Sequence, residues 1–239
     1  RLKNLVSLML NKKIQNKTDL RDEINLVLNN QSLKNSLIES QLIISYSAKK
    51  LNYLDVKFDE IDIQEIKKIL EERLKGKPLS KIIKQKGFWK DIFYTDENTL
   101  DPRSDSEILI ESILNDFNIQ KDTQFNFIDL CCGTGCLGIS LLKEFKFSKC
   151  DFIDISNQAL LNCNKNISDL SVENRSSIFE SDLFENYPIS KLKNIKFIVC
   201  NPPYIPTENY FLLDNETLHD PKISLDGGLD GLDFYIRII

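Results

Sequence analysis

The sequence predicts an α/β protein in which a helical bundle over residues 1–85 precedes a β-hairpin linker over 86–103 and a doubly wound parallel sheet over 104–239. Three observations carry that expectation. From residue 125 onward, short apolar runs of strand length alternate with stretches of helical period, as in a parallel sheet covered on both faces. A glycine-rich turn sits between the first of those runs and the helix that follows, where an open α/β sheet offers backbone to a ligand. Before residue 75, apolar residues recur every three to four positions, the mark of amphipathic helices.

The bulk numbers fit. A chain of 239 residues with 41% apolar and 28% charged residues can bury a real core and reads as soluble and globular. No apolar run approaches bilayer-spanning length and no signal-peptide pattern opens the sequence, so a cytoplasmic location without a membrane partner is expected. The six cysteines (131, 132, 136, 150, 163 and 200) form no CxxC pair, and His219 is the single histidine. Small buried thiols in a reducing cytosol are therefore expected, with no metal site. Residues 1–85 carry 17 Lys and Arg against 11 Asp and Glu, a charge of +6, while 86–239 carry 14 against 25, or −11. A basic module on an acidic one hints at two functional parts.

The first stretch reads as helices from the spacing of Leu2, Leu5, Val6 and Met9, of Leu20, Ile24, Val27 and Leu28, and of Leu33, Leu37, Ile38 and Leu42. Asp62, followed by Glu65, caps a further helix whose face is Ile63, Ile66, Ile69, Leu70 and Leu74, and Gly76 with Pro78 closes it. Phe88, Trp89, Ile92, Phe93 and Tyr94 favour strands, with Lys90-Asp91 as the turn. Asp101-Pro102-Arg103-Ser104 then breaks the chain. Ser104 or Ser106 can cap a helix through Ile108, Leu109, Ile113 and Leu114. The polar run 102–107 could also hold an Arg–carboxylate pair or wall a site. Strands are expected at 125–130, 150–155, 177–180 and 195–200, with helices at 136–145 and 157–167 between them. Four parallel strands make a small sheet, so further C-terminal strands are expected to be missing.

Gly133, Gly135 and Gly138 satisfy GxGxxG, and Asp154 lies at the tip of the next strand, where it can accept from ribose hydroxyls. This spacing fits NAD and S-adenosyl-L-methionine alike, and the absence of GK[ST] argues against a triphosphate loop. Two features favour S-adenosyl-L-methionine. Asp129, just before the turn, suits a positive amino-acid end better than a pyrophosphate. After the fourth strand stands Asn201-Pro202-Pro203-Tyr204. There an amide, carbonyls freed of neighbouring donors and an aromatic face can receive a planar –NH2 group. Ser181-Asp182-Leu183-Phe184, after the third strand, could flank an adenine.

With these residues in place the chain resembles the HemK/PrmC family, protein-(glutamine-N5) methyltransferases of peptide chain release factors. The resemblance runs from about residue 60 to the end. It rests on Gly76-Lys77-Pro78-Leu79, Phe88-Trp89, Asp101 through Glu107, Asp129 through Gly138, Asp154, Asn201 through Tyr204, and Asp220-Pro221 with the Asp-Gly-rich run from Leu225 to Asp233. It implies a class I S-adenosyl-L-methionine-dependent methyltransferase, Rossmann-like and truncated at its C-terminus, behind a helical domain that contacts the release factor. It implies that Asp129, Cys131, Cys132, Gly133, Thr134, Gly135, Asp154, Asp182, Leu183 and Asn201 hold the cofactor. Asn201, Pro202, Pro203 and Tyr204 would bind the glutamine side chain, with Asn201, Pro202 and Tyr204 acting in catalysis. Leu183 stands where well-known members have Trp, and Cys131 where Gly is common. Class I release factors are the expected partner, and direct nucleic-acid binding is not expected of so acidic a catalytic half. A glutamine methyltransferase of a ribosomal protein, an amino-methyltransferase of nucleic acid and an inactive cofactor-binding module remain the alternatives.

Overall fold

The computed structural model describes residues 14–30, 35–116 and 123–239; the expected helix through Leu2, Leu5, Val6 and Met9, and Leu33, lie outside them. The chain divides into two compact units after Ile83.

In the first unit, helices α1 (Lys17–Asn29), α2 (Ser36–Ser47), α3 (Ile63–Arg73) and the short α4 (Leu79–Ile83) enclose one apolar core. Asn16 starts α1 by accepting from the Asp19 N–H, and Asp62 starts α3 by accepting from Gln64 and Glu65, each satisfying backbone donors that have no partner within the helix. The expected faces of α1 and α3 are the buried ones, led by Leu20, Ile24, Ile66 and Ile69.

Helix α2 departs from expectation. Leu37, Ile38 and Leu42, expected to face inward, are exposed, and Ile43, Ile44, Ser40 and Ser47 are buried. The small serines let a neighbouring helix approach, and their hydroxyls are satisfied locally: Ser40 donates to the Leu37 carbonyl and Ser47 to that of Ile44. Spacing alone favoured the stripe through Leu37, Ile38 and Leu42, whereas the buried face combines Ile43 and Ile44 with small serines. Arg73 crosses the core boundary to make a two-pronged bond with Glu39, at 2.8 and 2.9 Å.

The second unit opens with an antiparallel hairpin, β1 (Gln85–Phe88) and β2 (Asp91–Tyr94). Phe88 pairs with Asp91, so the turn is Trp89-Lys90, one residue earlier than expected. Trp89 takes φ +53, a costly left-handed conformation. It is held there by Glu107, which accepts its backbone N–H at 2.8 Å, and Glu144, which accepts from its indole at 2.9 Å. Phe88 and Phe93 enter the core of this unit, so the hairpin is part of the second unit's body.

Helix α5 (Glu107–Asp116) follows; of the expected Ile108, Leu109, Ile113 and Leu114, Ile113 is buried, Leu109 and Leu114 are half-buried and Ile108 is exposed, while Ile110 is buried in addition. Then come β3 (Asn126–Leu130), α6 (Cys136–Glu144), β4 (Lys149–Asp154), α7 (Asn157–Asp169), β5 (Ser176–Glu180), the one-turn α8 (Ile189–Leu192), β6 (Ile195–Cys200) and α9 (Asp233–Ile238). The sheet is parallel in the order β5-β4-β3-β6. Chain order therefore runs outward from β3 in one direction and then returns to its other side. The gap between the ends of β3 and β6 is a topological switch point, where ligands of open α/β sheets bind. Among the described residues no helix is long and apolar enough to cross a membrane.

Candidate active site

Leu130 of β3 and Cys200 of β6 are register partners, so the residues just past them are brought side by side. On one side is the glycine turn 131–135 and on the other Asn201. Cys131 takes φ +57, a conformation glycine adopts without steric cost. Gly133 takes φ +52, and a Cβ there would meet nothing within 4 Å, so bare backbone faces open space. Gly138 is different: its Cβ would stand 2.5 Å from the Phe152 ring and 2.9 Å from Asp129. It is a packing glycine that seats α6 on the sheet.

Two carboxylates shape the turn. Asp154, at the end of β4, accepts the Gly133 N–H with one oxygen and the Ser156 N–H with the other, each at 2.9 Å. Burial raises its pKa despite these bonds. Asp129 was expected to meet the positive end of a cofactor. Instead it is 1% exposed, lies off the cavity wall and accepts the Gly138 N–H at 2.8 Å. Desolvation there raises its pKa well above the usual carboxylate range. Asn166 on α7, a buried residue that the sequence reading missed, donates to the carbonyls of Thr134 and Tyr94, both at 2.9 Å, and accepts from the Tyr94 N–H. It ties the turn to the hairpin.

A cavity of about 220 Å³ opens above the carboxyl ends of the strands. Of the expected site residues, Cys131, Cys132, Gly133, Thr134, Asp154, Asp182, Leu183, Asn201 and Pro203 line it, whereas Asp129, Gly135, Pro202 and Tyr204 do not. The Cα of Gly135 packs against Cys163, whose Sγ would stand 2.7 Å from an added Cβ. Tyr204 is 55% exposed and Pro202 is buried. Phe184 packs in the core beside the cavity wall. His219 is exposed and lies away from the wall.

The wall also holds Asp101, Arg103 and Ser106, from the segment in which the polar run 102–107 was read as a possible site wall or Arg–carboxylate pair, and Phe234 and Arg237, which nothing in the sequence marked as site residues. Ser106 Oγ accepts from Asn201 Nδ2 at 3.1 Å. This bond commits one of the two N–H donors of the Asn201 amide and leaves Asn201 Oδ1 as an acceptor toward a ligand. Arg103 pairs with the buried Asp220, which also accepts the Asp101 N–H at 3.2 Å. Arg237 pairs with Asp182 at 2.9 Å. All six cysteines are free thiols. The adjoining Cys131 thiol, together with burial, pushes the Cys200 thiol well up, and burial pushes Cys136 up to about 12.

The parallel sheet, its switch point and the glycine turn define a class I methyltransferase fold, and residues 97–214 match the methyltransferase small domain. A release factor glutamine methyltransferase of Clostridium acetobutylicum is 32% identical over 206 residues, covering 84% of this chain and 71% of that protein. Its Leptospira interrogans counterpart is 40% identical over 156 residues, covering 64% of this chain and 54% of that one. A ribosomal protein uL3 glutamine methyltransferase of Neisseria meningitidis is 32% identical over 188 residues, covering 78% and 61%. The chain spans less than two thirds of the length of the latter two relatives. The chain belongs to the HemK/PrmC family, in which these glutamine methyltransferases fall.

Proposed function

We propose that this chain transfers a methyl group from S-adenosyl-L-methionine to the side-chain amide nitrogen, N5, of a glutamine in a class I peptide chain release factor, in the cytosol where such factors work. The observation that carries the reading is Asn201, half-buried on the cavity wall with one amide N–H donated to Ser106.

The residues present suit the cofactor. Gly133 leaves open space where a side chain would stand, Asp154 offers a carboxylate at the end of β4, and Leu183 and Phe234 give the wall apolar surface. Asp154 would accept from ribose hydroxyls, the 131–135 turn would cradle the amino-acid end, and Asp182 and Leu183 would flank the adenine. Asp129 lies off the cavity wall, and Asp101, which accepts from the Thr95 hydroxyl, is a carboxylate on it. When bound, the cofactor supplies an electrophilic methyl group on a sulfonium.

A carboxamide nitrogen is a weak nucleophile because its lone pair is delocalised into the carbonyl. The chain's task is to hold it in line and favour the form with the lone pair on nitrogen. Asn201 Oδ1, on the cavity wall, would accept one of its N–H bonds; the Pro202 carbonyl and the exposed Tyr204 ring, which lie off that wall, would act from beside it, accepting the other and packing on the amide plane. Orientation of this kind can lower a barrier by roughly 7–11 kcal/mol at its upper end. The extra proton on the product nitrogen can leave to water.

A second acceptor is favoured by the Neisseria relative: a glutamine of ribosomal protein uL3. Incubating the chain with isotopically labelled S-adenosyl-L-methionine and purified release factor or uL3 in parallel, then mapping the modified peptide by mass spectrometry, tests both. Label on a release-factor glutamine is the expected result. Label on uL3 alone would move the substrate, and label on neither would overturn the reading.

A further inference from the structure

We infer that residues 225–232 form a backing clamp that sets the position of the 201–204 turn, with Gly227 as the residue on which the fit depends. The activity part of this inference rests on the glutamine reading above; the structural part does not.

Immediately after the turn, the chain is fastened to this segment by backbone bonds. Ile205 donates its N–H to the Leu225 carbonyl at 2.9 Å, Gly227 donates to the Ile205 carbonyl at 2.8 Å, and Thr207 donates to the Gly228 carbonyl at 2.8 Å. Ile205 and Asp226 thus make an isolated parallel bridge. A side-chain link reinforces it, with Thr207 Oγ1 donating to Asp226 Oδ1 at 2.7 Å. That bond, with the Gly228 N–H, lowers the Asp226 pKa.

The steric evidence is more specific. A Cβ on Gly227 would stand 2.7 Å from Tyr204 Cα and 2.8 Å from the Pro203 carbonyl oxygen. A Cβ on Gly231, at φ +81, would run into the Tyr204 carbonyl. In both places the obstructed atoms are backbone, which cannot swing aside as a flexible side chain would. The turn is therefore held from two directions. Ser106 fixes the Asn201 amide, and the glycine segment bears directly on Pro203 and Tyr204. The chain between Ile205 and Leu225 is thus a loop whose two ends meet.

Neither Gly227 nor Thr207 lines the cavity near the glycine turn, so they act as positioning residues, through the turn. Displacing a bound reactant by about 1 Å can cost on the order of 10²-fold in rate. The clamp should therefore govern turnover while leaving cofactor affinity alone.

The test compares Gly227→Ala in the full chain with the Gly87→Ala control, at which an added Cβ meets nothing within 4 Å. Three quantities are measured: S-adenosyl-L-methionine affinity by calorimetry, methyl transfer to a class I release factor, and hydrogen exchange at the Ile205 and Thr207 amides. For Gly227→Ala we expect unchanged affinity, kcat lower by on the order of 10²-fold, and faster exchange at both amides. Should Gly227→Ala fail to fold, Thr207→Val is expected to lose turnover and Thr207→Ser to restore it at equal cofactor affinity. A folded Gly227→Ala with wild-type kcat and wild-type exchange would overturn the clamp, as would Thr207→Val indistinguishable from wild type. The exchange measurement needs no methyl acceptor. A wild-type chain that methylates nothing would count against the glutamine reading, and the amide protection would still decide the clamp.

Discussion

Asn201 and Ser106 meet at 3.1 Å across the switch point, and their roles should separate under mutation. Asn201→Ala is expected to abolish methyl transfer with cofactor affinity nearly intact, read by calorimetry beside the labelled assay. Ser106→Ala frees the amide to rotate; losing one neutral hydrogen bond, worth about 0.5–1.5 kcal/mol, predicts a drop in kcat of up to roughly tenfold. Ser106→Thr keeps the hydroxyl and should recover most of it. Asp129 makes a different prediction. Its pKa is raised in the folded state by desolvation, so its contribution to stability is fully present below the unfolded carboxylate value near 3.9 and is lost as pH rises through the folded value. Asp129→Asn keeps an oxygen for the Gly138 N–H and removes the buried charge. It should be more stable than wild type at pH 7, with the gain vanishing toward pH 3.5, as urea denaturation across pH would read. The sequence marked both residues but could not separate them. Motif spacing placed Asp129 beside the turn, yet the direction of its side chain was set by the close approach of Gly138, a tertiary fact.

At the level of elements, the contrast between α1 and α2 is instructive. In α1 the apolar spacing and the buried face coincide, with only Leu26 of its leucines left exposed. In α2 the inward face is set by Ser40, Ile43, Ile44 and Ser47, and Leu37, Ile38 and Leu42 stay outside. Replacing Leu37 and Ile38 together by Gln should change stability by only about ±0.5 kcal/mol per site. Ile43→Ala should cost about 2–5 kcal/mol. Chemical denaturation of the two variants would reverse this order if the spacing-based face were the buried one. The strands were legible almost to the residue, since β3, β4 and β6 are short runs rich in Ile, Phe and Cys set between helical stretches. The hairpin turn was not: a left-handed Trp89 has no local signature, and its conformation is stabilised by Glu107 and Glu144, which lie far along the chain.

Over the whole molecule, the apolar clusters segregate by unit, one within the helical unit and two within the second, and the cavity wall is drawn wholly from residues 98–237 of the second. A fragment beginning at Lys84 is therefore expected to bind S-adenosyl-L-methionine with an affinity close to that of the full chain. If the helical unit recognises the acceptor protein, the fragment should lose methylation of it, which a comparison of the two proteins in the labelled assay would read. The composition of the wall was only partly legible for the same reason that the fragment must be this long. Its Arg103, Ser106, Phe234 and Arg237 come from stretches that gain meaning only when folding brings them to β3. Such a cavity does not exist until the last of these stretches has docked, so occupancy and folding of this unit are thermodynamically linked. A ligand at a hundred times its Kd would hold the folded state by about 2.7 kcal/mol. Thermal denaturation in the ligand's presence would then report on every segment of the wall at once, including those that never touch it.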